Sequence, residues 1–255
     1  MAMKTRPSLH TSAHVHGSPG SRVRLLGLGR SLWPLVLVFI ALGYLIRAAI
    51  PLPPLSTSAT GLLFLALAVA VAAAANYSRD RLQNHLKGAR GEEAVARALD
   101  RLPAGWHVFH GVPIGDTPLS SGGGADIDHV VVAPNAIFVI ETKNWSGEIT
   151  AKHNTLLCDG QPPDRDPLDQ VREAAAALRH RLRATAGDNA AADRPIIPIL
   201  CFSGGTRLPP ITGLSGVMIC NEDGLCAIMR AHREAPLPAA YHTAAVEVLK
   251  ASVET

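Results

Sequence analysis

Two neighbouring segments, Asp126–Val132 and Ile137–Thr142, are nearly continuous apolar runs rich in Val and Ile. Nearly continuous apolar runs of this length predict strands covered on both faces. Pro134-Asn135 between them predicts a tight turn. Upstream, Trp106–Ile114 alternates well enough to predict a first strand, and Pro195–Phe202 predicts a further buried one. Gly216–Cys220 predicts a short strand. Helical spacing of apolar residues appears at Leu168, Val171, Ala175, Leu178 and Leu182, which predicts a helix over Asp166–Ala184. Asp166 suits its cap and Pro167 its first turn, and arginines load its C-terminal end. A polar helix beginning at Arg79 continues through L-K-G-A-R-G-E-E-A-V-A-R-A-L, and 221–232 and 237–253 predict closing helices.

A different pattern holds before Arg79. Leu32–Ile46 carries no charge between Arg30 and Arg47, and a second uncharged run spans Pro51–Ser78 with its apolar heart at Gly61–Ala75. Each heart is a little short of the ~20 residues that cross a bilayer, with flanks that can extend it. The pair reads as a membrane hairpin over residues 31–78, and basic residues on both outer sides place both termini in the cytoplasm. Residues 1–30 hold Ser, Gly, Pro, His and basic residues without an acid, and read as a disordered basic tail. His10, His14 and His16 have a spacing that could bind a metal, but a floppy polar tail is the better reading.

Composition adds less. The 255 residues are 47% hydrophobic but only 4% aromatic, an aliphatic balance that allows one sizeable domain and an appendage. A net charge of +3 does not by itself argue for nucleic acid. The four cysteines form no C-x-x-C pair, so free thiols in a reducing compartment are expected.

Four ionisable residues stand out at the ends of the two apolar strands: Asp126, Asp128, Glu141 and Lys143. Period-2 geometry puts each pair on one face of its strand. With a two-residue loop, Asp128 falls opposite Glu141 and Asp126 opposite Lys143; a three-residue loop would put Thr142 opposite Asp128 instead. Opposed carboxylates repel unless a cation or proton sits between them. Hard oxygen ligands beside a lysine suit Mg2+ or Mn2+ and a phosphate ester, while the plainer reading is a salt-bridged strand rim.

The ordered pieces G-A-R-G-E-E, D-I-D-H-V-V-V, F-V-I-E-T-K-N-W-S-G and D-Q-V-R resemble the nuclease-related domain (NERD) family, a branch of the PD-(D/E)xK nucleases, over about Lys87–Leu182. That resemblance implies an α/β, restriction-endonuclease-like core, a mixed central sheet flanked by helices, here preceded by two transmembrane helices. It implies metal ligation by Asp128 and Glu141 with Glu92 and the Thr142 carbonyl, and catalysis by Lys143 with Gln170 beside the site. The superfamily's Pro before the metal-binding Asp is missing, which leaves Asp126 and Asp128 both open.

The resulting expectation is a multi-pass protein of the cell membrane, anchored through residues 31–78, with a cytoplasmic nuclease-like domain over 79–255. Its activity would be Mg2+- or Mn2+-dependent hydrolysis of phosphodiester bonds in nucleic acid, DNA ahead of RNA. The alternative is a catalytically silent, membrane-tethered binding or scaffold module. Trp145 stacking on a base and Arg172, Arg179, Arg181 and Arg183 meeting phosphates are further candidate contacts, each with a packing or solvated-face alternative.

Overall fold

The computed structural model describes residues 12–19, 36–46, 48–49, 56–114, 126–186, 194–209 and 212–254. The glycine-rich segment 115–125 lies outside them, as do most of the N-terminal tail and the start of the first apolar run. The chain divides into two compact units, one of residues 1–20 with 90–255 and one of residues 21–89.

The first unit is a three-layer α/β/α assembly. Its sheet has seven strands in the order β1-β2-β3-β4-β7-β9-β8. These are β1 (His14–His16), β2 (His107–Pro113), β3 (Asp126–Val132), β4 (Ile137–Lys143), β7 (Ile196–Phe202), β8 (Gly213–Leu214) and β9 (Val217–Asn221). β5 (Ile149–Lys152) and β6 (Thr155–Cys158) form a separate hairpin. The sheet is mixed: β2, β3 and β4 are antiparallel neighbours, whereas β4, β7 and β9 run parallel.

Helices α2 (Pro167–Ala186) and α4 (Ala239–Val253) cover one face through Leu168, Val171, Leu178, Tyr241 and Leu249. The end of α1 (Thr57–Leu99) and α3 (Glu222–Ala231) cover the other through Val95, Leu99, Leu225 and Met229. Two covered faces explain why β3 and β4 are apolar at successive positions: Val130, Val131 and Val132 are all fully buried, as are Phe138, Val139 and Ile140.

The turn between β3 and β4 has two residues, the shorter of the two lengths the sequence leaves open. The Ala133 amide donates to Ala136 O at 2.9 Å, and the ladder runs from Val132↔Ile137 to His129↔Ile140. It stops there, so neither Asp128 with Glu141 nor Asp126 with Lys143 is paired in the ladder, as the two-residue loop would have it; Asp126 pairs only with Pro113 on β2.

The tail expectation also needs revision. Three of its residues, His14–His16, form a strand parallel to β2, anchored by the Ala13 amide on Leu102 O and the His14 amide on Trp106 O.

In the second unit, residues 36–46 are helical, and α1 begins at Thr57. Among the described residues no helix is long and apolar enough to cross a membrane. The two transmembrane helices, the bilayer contact through 31–78 and the multi-pass localisation are therefore withdrawn. The physical reason is length. The described apolar stretch Gly61–Ala74 rises only about 21 Å at 1.5 Å per residue, against a hydrocarbon core of about 30 Å.

Candidate active site

The carboxyl end of β4 carries the site. Alternation along the strand sends Glu141 and Lys143 to the face covered by α2 and Thr142 to the face covered by α1. The contacts agree. Lys143 Nζ donates to Glu141 Oε1 at 2.7 Å and to Gln170 Oε1 of α2 at 2.8 Å, while the Thr142 side chain lies beside Gly91 of α1. Asp166 caps α2 by accepting from the Leu168 amide at 2.8 Å, which sets the first turn from which Gln170 projects.

Asp128 lies at the point where β3 leaves the ladder. Its Oδ2 accepts from the Thr142 amide at 2.7 Å, a backbone group that an intact ladder would have used otherwise. Burial pushes the Asp128 carboxyl well above the usual range, and the charges of Glu141 and Glu92 push the same way. Lys143 and the Thr142 amide oppose them without cancelling the rise. Glu92, Asp128, Glu141, Lys143, Thr142 and Gln170 thus meet at one end of the sheet, with Glu141 and Glu92 buried.

Among the described residues no group of three or more His, Cys, Asp or Glu side chains is already arranged to hold a metal ion. The cause is visible in the contacts: Asp128 is turned onto a backbone amide and Glu141 onto Lys143. The donor chemistry still fits a hard divalent cation. All the candidate donors are oxygens, and the charges of Glu141 and Glu92 add to burial in raising the Asp128 carboxyl.

Several features were not apparent from residue types. Gly91 sits so close to Ser203 and Asn144 that a β-carbon there would lie 2.7 Å from Ser203 Oγ and 2.8 Å from Asn144 Cβ. Ser203 in turn donates its amide to Lys143 O at 3.0 Å, so the same contact buttresses both Glu92 and Lys143. The spacing of Gly88 and Gly91 before Glu92 was the available signal. A second is the buried pair of imidazoles on facing strands, His110 and His129, with their Nδ1 atoms 2.7 Å apart.

Three suggested nucleic-acid contacts are otherwise engaged. Trp145 packs edge-on against Phe202, ring centres 5.4 Å apart, and so serves the sheet. Arg172 is paired with Asp169, and Arg181 donates to Pro113 O at 2.7 Å.

Comparison with known proteins places this geometry in context. Residues 87–203 match the family described as the nuclease-related domain, NERD, and this segment includes all six candidate residues. An uncharacterized protein of Bacillus anthracis is 41% identical over 68 residues, which cover 25% of this chain and 29% of that relative. No solved structure matches significantly.

Proposed function

We propose that the first unit is a metal-dependent nuclease that hydrolyses phosphodiester bonds in nucleic acid, with DNA the first substrate to test. One observation carries the reading: Lys143 Nζ is held between Glu141 and Gln170 beside a carboxyl, Asp128, raised by burial and by its acidic neighbours. A lysine pinned at a half-buried strand end beside several acids suits the charge that develops on phosphoryl oxygens during attack by water.

Asp128 and Glu141 would hold the cation, with Glu92 and the Thr142 carbonyl as further oxygen donors. A bound Mg2+ or Mn2+ would supply Lewis-acid charge at the phosphate. Gln170 fixes the direction of the Lys143 ammonium, and Lys143 orients the attacking water and stabilises the phosphoryl oxygens. The Glu141–Lys143 ion pair also favours a second reading, a silent binding module, since it satisfies both side chains without a metal.

Three substitutions in the full chain separate the two. Asp128→Asn and Glu141→Gln should leave metal-free stability unchanged or higher, by up to about 2 kcal/mol, because each relieves repulsion. Both should abolish Mg2+-dependent cleavage of plasmid DNA. Lys143→Ala should also abolish cleavage while Mg2+ binding, followed by calorimetry, is kept or tightened. If all three destabilise the metal-free protein alike and the wild type binds no Mg2+, the acids and lysine form a structural rim and the nuclease reading is wrong.

A further inference from the structure

At the sheet edge, far along β2 from the acidic site, four imidazoles gather around the N-terminal strand. The His14 ring stacks on His107 at 4.9 Å between centres, and His16 stacks on Phe109 at 4.7 Å and on His107 at 5.9 Å. His242 of α4 meets His107 edge-on at 5.8 Å. Two nitrogens in this stack, His107 Nδ1 and His16 Nε2, are buried without a hydrogen-bond partner. The rings are near-parallel where β1 meets β2, with interplanar angles of 19°, 10° and 14°. Their lone pairs therefore lie in separate planes and do not converge on a point, and no metal-holding group is formed among the described residues.

We propose that β1 is an acid-released strap, docked on β2 while His16 and His107 are neutral and freed when His107 takes up a proton. A proton on buried Nδ1 would have no acceptor, and its charge would face a cationic neighbourhood. From β1 the groups nearest His107 are His14 and His16; from α4 they are His242 and Lys250; its partner on β3, Val132, offers no charge. His16 faces Lys250 and His14, offset only in part by Glu254 and Glu247. Burial is the largest cause for both rings, and it holds His107 down at about 4.

Docking therefore has a sign. An imidazole held below its ordinary value of 6.5 contributes fully above that value, and its contribution is lost as pH falls from 6.5 towards 4. The consequence is local opening. Val15 of the strap, with Gly17 and Pro19 directly after it, forms one wall of a cavity of about 360 Å3 whose other walls include Glu93 and Arg97 of α1 and His110 of β2. Freeing the strap removes that wall, one residue along α1 from Glu92.

Hydrogen exchange on the full chain tests this without any assay of cleavage, so its outcome is independent of the nuclease reading. After correction for intrinsic rates, protection at residues 14–16 should fall about tenfold more than at Ile137–Ile140 between pH 7.5 and pH 5. Tenfold allows for solvent reaching the half-buried His107 ring. His107→Phe, which keeps the stack but cannot titrate, should remove the extra loss. Lys250→Gln, a milder change, should shrink it by removing the nearby cation. Protection at 14–16 that tracks 137–140 at both pH values, or a wild-type loss in both variants, overturns the strap. So does release at pH 7.5 by a chelator, which would make the imidazoles metal ligands.

Discussion

Gly91 has no room for a side chain, and Glu92 follows it directly. Ser203 Oγ can rotate away from an added β-carbon, but Asn144 Cβ, 2.8 Å from that position, is tied to its backbone and cannot. Gly91→Ala should therefore shift α1 outward, costing about 1–3 kcal/mol of stability and displacing Glu92, so that cleavage falls with it. Gly88, one turn earlier, meets nothing within 4 Å at the same construction. Gly88→Ala should instead gain about 0.5–1 kcal/mol from helix propensity and keep activity. Urea unfolding and a cleavage assay on the two variants check the contrast. Equal effects would show that the Gly91 contact gives way without cost.

Among the elements, β2 and β3 are joined by more than their ladder. His110 and His129 face each other in register, and with Nδ1 atoms 2.7 Å apart one neutral ring must donate and the other accept. Burial holds His110 down at about 4, against a partial upward pull from Asp100, and burial lowers His129 further in the same direction with His110 adding to it. The unfolded rings protonate near 6.5, so the pair's contribution is complete above that pH and declines as pH falls towards 4. For His110 the loss at pH 5 is about 2 kcal/mol. Replacing both histidines by Val, beside Val108 and Val131, should reduce the acid-side loss of stability by at least that amount. Urea midpoints from pH 7.5 to pH 5 measure it. An unchanged acid slope would show that other histidines carry the whole effect.

The same elements show what a sequence can reveal. The two strands and the turn at Pro134-Asn135 were legible because Val and Ile run to both faces on either side of it, but the loop length, and so the register, was left open between two and three residues. The helix cap at Asp166 was legible from one residue. The position of Asp126 was not, because the ladder with β4 ends at His129, where the Asp128 side chain takes the Thr142 amide, and residue types do not mark that end. β1 was invisible for another reason: three residues of His and Val in a polar segment carry no period, and their partner lies far along the chain.

At the scale of the whole molecule, the apolar segments before Arg79 were legible as helix but not as a membrane anchor. An apolar pattern reports what a helix can bury, whereas crossing a bilayer needs a helix that is both long and apolar enough, and among the described residues none is. What the pattern concealed was the break in continuity: residues 1–20 belong with 90–255, and the intervening chain forms a unit of its own.

The parallel pairing of His14 with His107, about 90 positions apart, sets an order in time. The strap is the first strand of this sheet to leave the ribosome, yet it has nothing to pair with until β2 has emerged. Closing a loop of that length costs on the order of 4 kcal/mol, set against three residue pairs. The central ladder, turned by two residues, closes almost at once. Refolding should therefore pass through a species with β2–β3–β4 assembled and the strap still free. Pulse-labelled hydrogen exchange should show protection at 14–16 arriving after that at 137–140, and simultaneous arrival would contradict this order. For as long as that species lasts, the edge of β2 is open to any extended segment, including the strap of another copy.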